Sequence, residues 1–405
     1  MAITTIKRPL AFVPAYNDSE FLAGSTQTAQ PNFTYYVKVT TDTAEEYILR
    51  IPPDPNNQCY INTVAYTRKY IDNYYPFGEH DVKVHPGIRS LTVNIGEEYG
   101  STPTIYPGTD YTFNYWNASL NKKERSLFNP DNYLSLTSDG ACKFLNNFPD
   151  TINVKLDQDL VLSWIQWDLL FPTVTINTYL STGVLRDTIT IDTDVFTFPQ
   201  YLNFNIGPES LNTFQTTEPP TRYTSSVLPW FNSIVAYYTV TLDGLSLIRV
   251  NIIDPCEKFV DYPLFYLNRK GAFDYVNMQG NHKEITNIEK KFYKGLTDKF
   301  EASYETVIGT VLTTGPNPLG INDKTLNISY EETLTLISQP LDQSQLDLLK
   351  DLMTSPYTFI NVGAYDYVKY SCKNSQYELK RDIIEKIVQI EATLNAGVTE
   401  VRQIE

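Results

Sequence analysis

Histidine is scarce in this 405-residue chain, at three residues, and there are only four cysteines and three methionines. The cysteines, Cys59, Cys142, Cys256 and Cys372, lie far apart. None has Cys-x-x-Cys spacing, which excludes a zinc ribbon or redox dithiol of that design and leaves free, partly buried thiols as the expectation. His80 and His85 would fall on opposite faces of a strand, so with Glu79 and Asp81 they make an incomplete ligand set. His282, between Asn281 and Lys283, suits a surface turn. The chain has no Gly-x-Ser-x-Gly elbow, no Gly-x-x-x-x-Gly-Lys loop and no His-Glu-x-x-His. Long apolar runs are missing too: Ile234-Val-Ala-Tyr-Tyr238 is far shorter than the roughly 20 residues of a membrane span. The opening M-A-I-T-T-I-K-R-P-L lacks the apolar core of a secretory signal. Basic residues number 32 against 47 acidic ones, a net charge of -15. Such a surface repels phosphate backbones, so direct nucleic-acid binding is not expected, and with apolar runs this short neither is membrane insertion. No catalytic residue, metal or cofactor is expected.

What is abundant points to β structure. Aromatics make up 13% of the chain, with 30 tyrosines, and hydrophobic residues 42%, enough to fill several cores. A chain of this length holds roughly two to four domains. Tyrosine, threonine and valine suit pleated, half-buried surfaces.

The fold expected is mainly β: tandem β-sandwich domains of immunoglobulin or fibronectin type, then a C-terminal β-rich domain with one amphipathic helix. Residues 1–30, polar and irregular, read as an N-terminal arm. Residues 31–120 form the first sandwich. Phe33, Tyr35, Val37 and Val39 alternate with Thr34, Tyr36, Lys38 and Thr40, and the pattern repeats at Tyr47, Leu49 and Ile51 before Pro52-Pro53 stops it. Residues 121–150, rich in asparagine, lysine and serine, read as a linker or long loop. Residues 151–253 carry about seven short strand signals and a hairpin-type Asp243-Gly244, which suits a second sandwich. Residues 254–405 form the third unit. There Leu346, Leu349 and Leu352 or Met353 line one helix face over 342–353, with Asp342 or Ser344 as cap and Ser355-Pro356 as stop. Ile383–Leu394 fits either a helix face or a strand face.

Residue constellations that could carry chemistry are few. Asp157, Asp159 and Asp168 near Trp164 and Trp167 resemble the acids and rings of a sugar cleft, although such tryptophans commonly serve as core anchors. Asp54, Asn56 and Asn57 offer oxygen ligands but read better as a turn. Arg269, Lys270, Lys283, Lys290, Lys291 and Lys294 lie close in sequence and read as a solvated face.

The most informative stretch is Y-P-L-F-Y-L-N-R-K-G-A-F-D-Y-V-N-M-Q-G-N, from Tyr262 to Asn281. With N-I-E-K-K-F-Y-K at 287–294 and S-Q-L-D-L-L-K-D-L-M-T-S-P at 344–356, it resembles tail proteins of phages that infect Bacteroidetes, the crAss-like phages and their relatives. The resemblance covers roughly residues 255–395, with a weaker echo at 33–76. It implies a virion structural protein, assembled in the host cytoplasm, that forms or decorates a ring in the head-to-tail or tail assembly as a connector, ring or tail-hub component. The implied partners are other copies of the chain and neighbouring tail or portal proteins. By the same likeness Ile383–Leu394 would be a strand. Candidate interface residues are Tyr262, Phe265, Tyr266, Phe273 and Tyr275, plus the N-terminal arm; the alternative is that these rings fill a core. A second class is a receptor- or carbohydrate-binding tail module, which requires Trp116, Trp164, Trp167 or Trp230 to form an exposed platform. A third class, an enzyme, has no catalytic constellation to stand on.

Overall fold

The computed structural model describes residues 3–71, 75–77, 82–135, 143–149, 151–167, 173–192, 199–218, 222–242, 245–253, 260–278, 282–294, 323–338, 346–363, 366–373 and 391–401. Among the described residues strand accounts for 56% and helix for 11%, so the mainly β class holds, with several sheets.

The first unit comprises β1 Ile3–Lys7, β2 Phe12–Pro14, β3 Glu20–Ser25, β4 Thr34–Thr41, β5 Glu46–Ile51, β6 Gln58–Asn62, α1 Val64–Tyr70, β7 Lys83–His85, β8 Ile88–Tyr99, β9 Thr104–Tyr106 and β10 Asp110–Trp116. One sheet runs β1-β3-β6; the other runs β2-β10-β8-β4-β5, with β9 on β8. Tyr35, Val37 and Val39 point inward from β4 and meet Leu91, Val93 and Ile95 of β8, while Phe21, Ala23, Cys59 and Ile61 come from the facing sheet. Each such buried side chain contributes roughly 1.5–3 kcal/mol. Residues 1–30 are therefore not an arm. β1 and β3 are strands of the smaller sheet, and β2 pairs in parallel with β10. The sequence of this segment lacks a long alternation because its strands are short and are held by distant partners.

The second unit comprises α2 Lys122–Ser126, β11 Leu134–Ser135, β12 Thr151–Val154, β13 Val161–Gln166, β14 Thr173–Leu180, β15 Leu185–Asp192, β16 Gln200–Asn205, α3 Pro208–Thr217, β17 Tyr223–Thr224, β18 Val235–Leu242 and β19 Leu245–Ile252. Its sheets run β11-β13-β16-β7 and β12-β19-β18-β14-β15-β17. The described part of 121–150 is packed structure rather than a linker. Asn121 caps α2 in a reciprocal capping box with Glu124, and β11 pairs in parallel with β13. Pro208 starts α3 at a first-turn position, where its missing N–H costs nothing.

The third unit comprises β20 Tyr262–Leu267, β21 Phe273–Met278, β22 His282–Lys294, β23 Asp323–Ile337, α4 Leu346–Thr354, β24 Thr358–Gly363, β25 Asp366–Cys372 and β26 Glu391–Val401. They form one sheet in the order β21-β20-β24-β25-β26-β23-β22. The expected helix is α4; its candidate caps Asp342 and Ser344 lie outside the described residues, as do 383–390. Residues 391–394 begin β26.

The expected boundaries do not separate independent cores. Phe265, Leu267, Phe273, Tyr275 and Phe359 share a core with Val174, Ile176, Trp164 and Tyr238 of the second unit. Phe77 of the first segment packs into the same place, with its ring 5.0 Å from Phe265 and 4.4 Å from Tyr367. β7 crosses over to pair with β16.

Candidate assembly site

The turn between β20 and β21 ties the three units together. Asn268 organises it: its Oδ1 accepts from the backbone N–H groups of Lys270 (2.9 Å) and Ala272 (3.0 Å), and its Nδ2 donates to Leu145 O (3.1 Å) and Asp274 Oδ2 (3.0 Å). Three backbone carbonyls of the turn are claimed from outside it. Ser119 N donates to Arg269 O (2.8 Å), Trp116 Nε1 to Lys270 O (2.9 Å) and Tyr201 OH to Gly271 O (2.8 Å). Asn146 Nδ2 donates to Phe273 O at 2.8 Å. On the rim, Arg269 lies 3.4 Å from Glu124 and 3.3 Å from Asp351 of α4. Burial holds the Lys270 ammonium below its usual range and lifts the Asp351 carboxyl.

This placement decides the candidate interface residues. Phe265 and Tyr266 are fully buried, and Phe273 and Tyr275 are 5% and 4% exposed. Those four rings fill this chain's own core, so they do not face a partner. Only Tyr262 is half-buried, beside His282 with ring centres 5.2 Å apart. A run of aromatics in an alternating hairpin suits an interface or a core equally. What buries both faces here is the second unit on one side and α4 on the other.

Tryptophans give no platform. Trp116, Trp164 and Trp230 are buried, and Trp167 packs edge-on against Phe12 at 5.2 Å. Asp159 is buried, where Asn205 Nδ2 (2.6 Å), Ser210 Oγ (3.0 Å) and the Tyr367 hydroxyl donate to it. It is a clamp between the second and third units rather than a cleft acid; Asp168 lies outside the described residues. Replacing Tyr367 by Phe removes one donor from a buried carboxylate and is expected to cost about 1–3 kcal/mol in urea unfolding. The Asp54 carboxylate accepts from Asn56 N and Gln58 N, which makes the residue an Asx turn. Among the described residues no group of three His, Cys, Asp or Glu is placed to hold a metal ion. His80, Cys142 and Cys256 lie outside them; Cys59 is a buried free thiol that burial pushes up to about 12. Among the described residues no helix is long and apolar enough to cross a membrane.

The exposed feature is the limb formed by β22, β23 and β26. Its base is anchored where Leu334, Leu336, Ala392 and Leu394 pack on Leu264, Tyr266 and Leu352. Asn395 Nδ2 donates to Glu331 Oε1 at 2.7 Å, and Lys373 pairs with the same carboxylate. β22 itself has little cover. Every residue of β22 from His282 to Lys291 is exposed, on both faces of the strand. Ile288 is 61% exposed. β22 ends the sheet order and pairs with β23 alone, so its outer edge carries no strand among the described residues. The structure also divides the basic group seen in sequence: Arg269 and Lys270 belong to the half-buried turn, whereas Lys283, Lys290 and Lys291 stand on the exposed strand.

No family model matches this chain, and no curated protein matches its sequence.

Proposed function

We propose that this chain is a virion structural protein that forms or decorates a ring in the head-to-tail or tail assembly of a phage. The observation that carries this reading is β22: a long strand exposed on both faces from His282 to Lys291, with no strand on its outer edge among the described residues, beside a hairpin whose rings Phe265, Tyr266, Phe273 and Tyr275 are buried internally. A strand so exposed is a liability in a lone monomer and an asset in an assembly. The sequence likeness of 255–395 to tail proteins of crAss-like phages supports the same reading. The proposed work is assembly, and the proposed partners are further copies of the chain and neighbouring tail or portal proteins. The proposed location is the virion, after assembly in the host cytoplasm.

Light scattering of the purified protein across a concentration series tests this. A closed oligomer, or a mass that climbs with concentration, is expected. A mass fixed at that of one chain throughout the series would count against self-assembly.

A further inference from the structure

Two open sheet edges lie far apart in the chain. β22 ends the seven-stranded sheet, and β5 ends the β2-β10-β8-β4-β5 sheet, with neither outer edge bearing a strand among the described residues. β5 exposes Glu46, Ile48 and Arg50 on one face and half-buries Tyr47, Leu49 and Ile51 on the other. Glu45, just before it, is also exposed. Pro52 and Pro53 follow and limit the usable edge to the strand itself.

We propose that the β22 edge of one copy adds, antiparallel, to the β5 edge of a second copy. This rests on the assembly reading and names its contact. The argument is complementarity in one register. Setting Ile288 opposite Ile48 brings two exposed aliphatic side chains together, at 61% and 49% exposure. The same register sets Lys290 opposite Glu46, Lys291 opposite Glu45, and Ile285 opposite Ile51. Directly opposed residues of an antiparallel pair point to the same face, so both lysines meet a carboxylate and both isoleucines meet an isoleucine. A shift by one residue separates both isoleucine pairs and leaves only one lysine opposite a carboxylate. Lysines on an edge deter promiscuous strand pairing. Here they repel another basic edge and admit an acidic one, which is selectivity by repulsion as well as attraction. In the monomer Glu46 pairs with Lys38, and Glu45 accepts from Tyr47 and Tyr70 and lies 3.7 Å from Lys69, so the lysines of an incoming edge join or replace partners that these carboxylates already have. Because the two edges differ, the contact is head-to-tail, and such a contact closes into a ring when its rotation permits.

Charge exchange tests the pairing, read by sedimentation and light scattering of the full chain. Lys290→Glu with Lys291→Glu is expected to raise the concentration needed for half-assembly by roughly tenfold, as opposed charges become like charges. Glu45→Lys with Glu46→Lys is expected to do the same. A mixture of the two double variants should assemble better than either alone, since each supplies the edge the other needs. Circular dichroism melts of both variants confirm that the fold is kept; if the β5 variant melts early, Ile288→Asp, on the bare limb, replaces it and should also weaken assembly. An oligomer unchanged by the β22 variants would overturn this contact and leave the assembly reading in place. A wild-type chain that stays monomeric would overturn both. Assembly only on added single-stranded DNA or anionic vesicles would assign the lysines to those anions and overturn the strand pairing.

Discussion

Replacing Gly271 by alanine is expected to abolish a stable fold, or at least to lower the urea midpoint by an amount equivalent to about 3 kcal/mol or more. Two independent costs meet at this position. Gly271 has φ of +93°, a region that L side chains rarely enter. A Cβ there would overlap the Asn117 carbonyl oxygen and come within 2.9 Å of its carbon. The obstruction is backbone, not a side chain that can swing away. Nor can the turn shift, because Trp116, Ser119 and Tyr201 each hold one of its carbonyls. Expression followed by equilibrium urea unfolding checks this. A variant that unfolds at the wild-type midpoint would show that the turn is not the joint between the units.

Asp274 gives the second large effect, and its size depends on pH. The side chain is fully buried, and burial lifts its carboxyl from the ordinary 3.8 to about 7. Asn268 Nδ2 and the Asn147 N–H, each 3.0 Å away, pull the other way, as does Lys270, while Asp351 adds to the rise. A carboxyl raised in the folded state favours folding fully below its unfolded value. That contribution is lost as pH rises from about 4 through about 7. A rise of this size corresponds to roughly 4 kcal/mol, as an upper order of magnitude. Asp274→Asn removes this titration while keeping the shape. Its amide nitrogen has no lone pair for the donors that converge on the carboxyl, and Asn268 cannot flip to help, since its Oδ1 is committed to Lys270 and Ala272. The variant is therefore expected to be less stable by about 2 kcal/mol at pH 5, with one donor left unsatisfied. The deficit should shrink towards zero by pH 8, where the wild-type carboxylate bears its own burial cost. Urea midpoints of both proteins at pH 5, 6, 7 and 8 read the difference directly. A deficit that grows with pH would contradict the assignment.

Legibility in the sequence followed the reach of the interactions. The strands β4, β5, β8, β14, β15, β18, β19 and β23 stand out by alternation, because each buries one face more than the other along its own length. The face of α4 stands out for the same reason at helical spacing. β20 and β21 read as strands through dense aromatic and aliphatic content, and both of their faces are buried. β2, β7 and β11 do not, since three or two residues carry no period; each is a strand only because β10, β16 or β13 lies beside it. The hairpin Tyr262–Met278 drew attention through its aromatics, yet their role came out opposite for Phe265, Tyr266, Phe273 and Tyr275. Alternation says which side chains share a face, and it is silent on what covers that face.

β22 shows the converse. Its bare lysines and isoleucines read in sequence as one more strand with a solvated face, and the only available signal was Ile288 between polar neighbours. The sequence by itself determined the β-rich class, the surplus of negative charge and the position of α4, because these depend on composition and local period. Only the tertiary structure decided that the N-terminal residues are strands, that the second and third units share a core, and that β22 projects uncovered. Those outcomes depend on which distant surfaces exclude water from one another, and no local pattern carries that information.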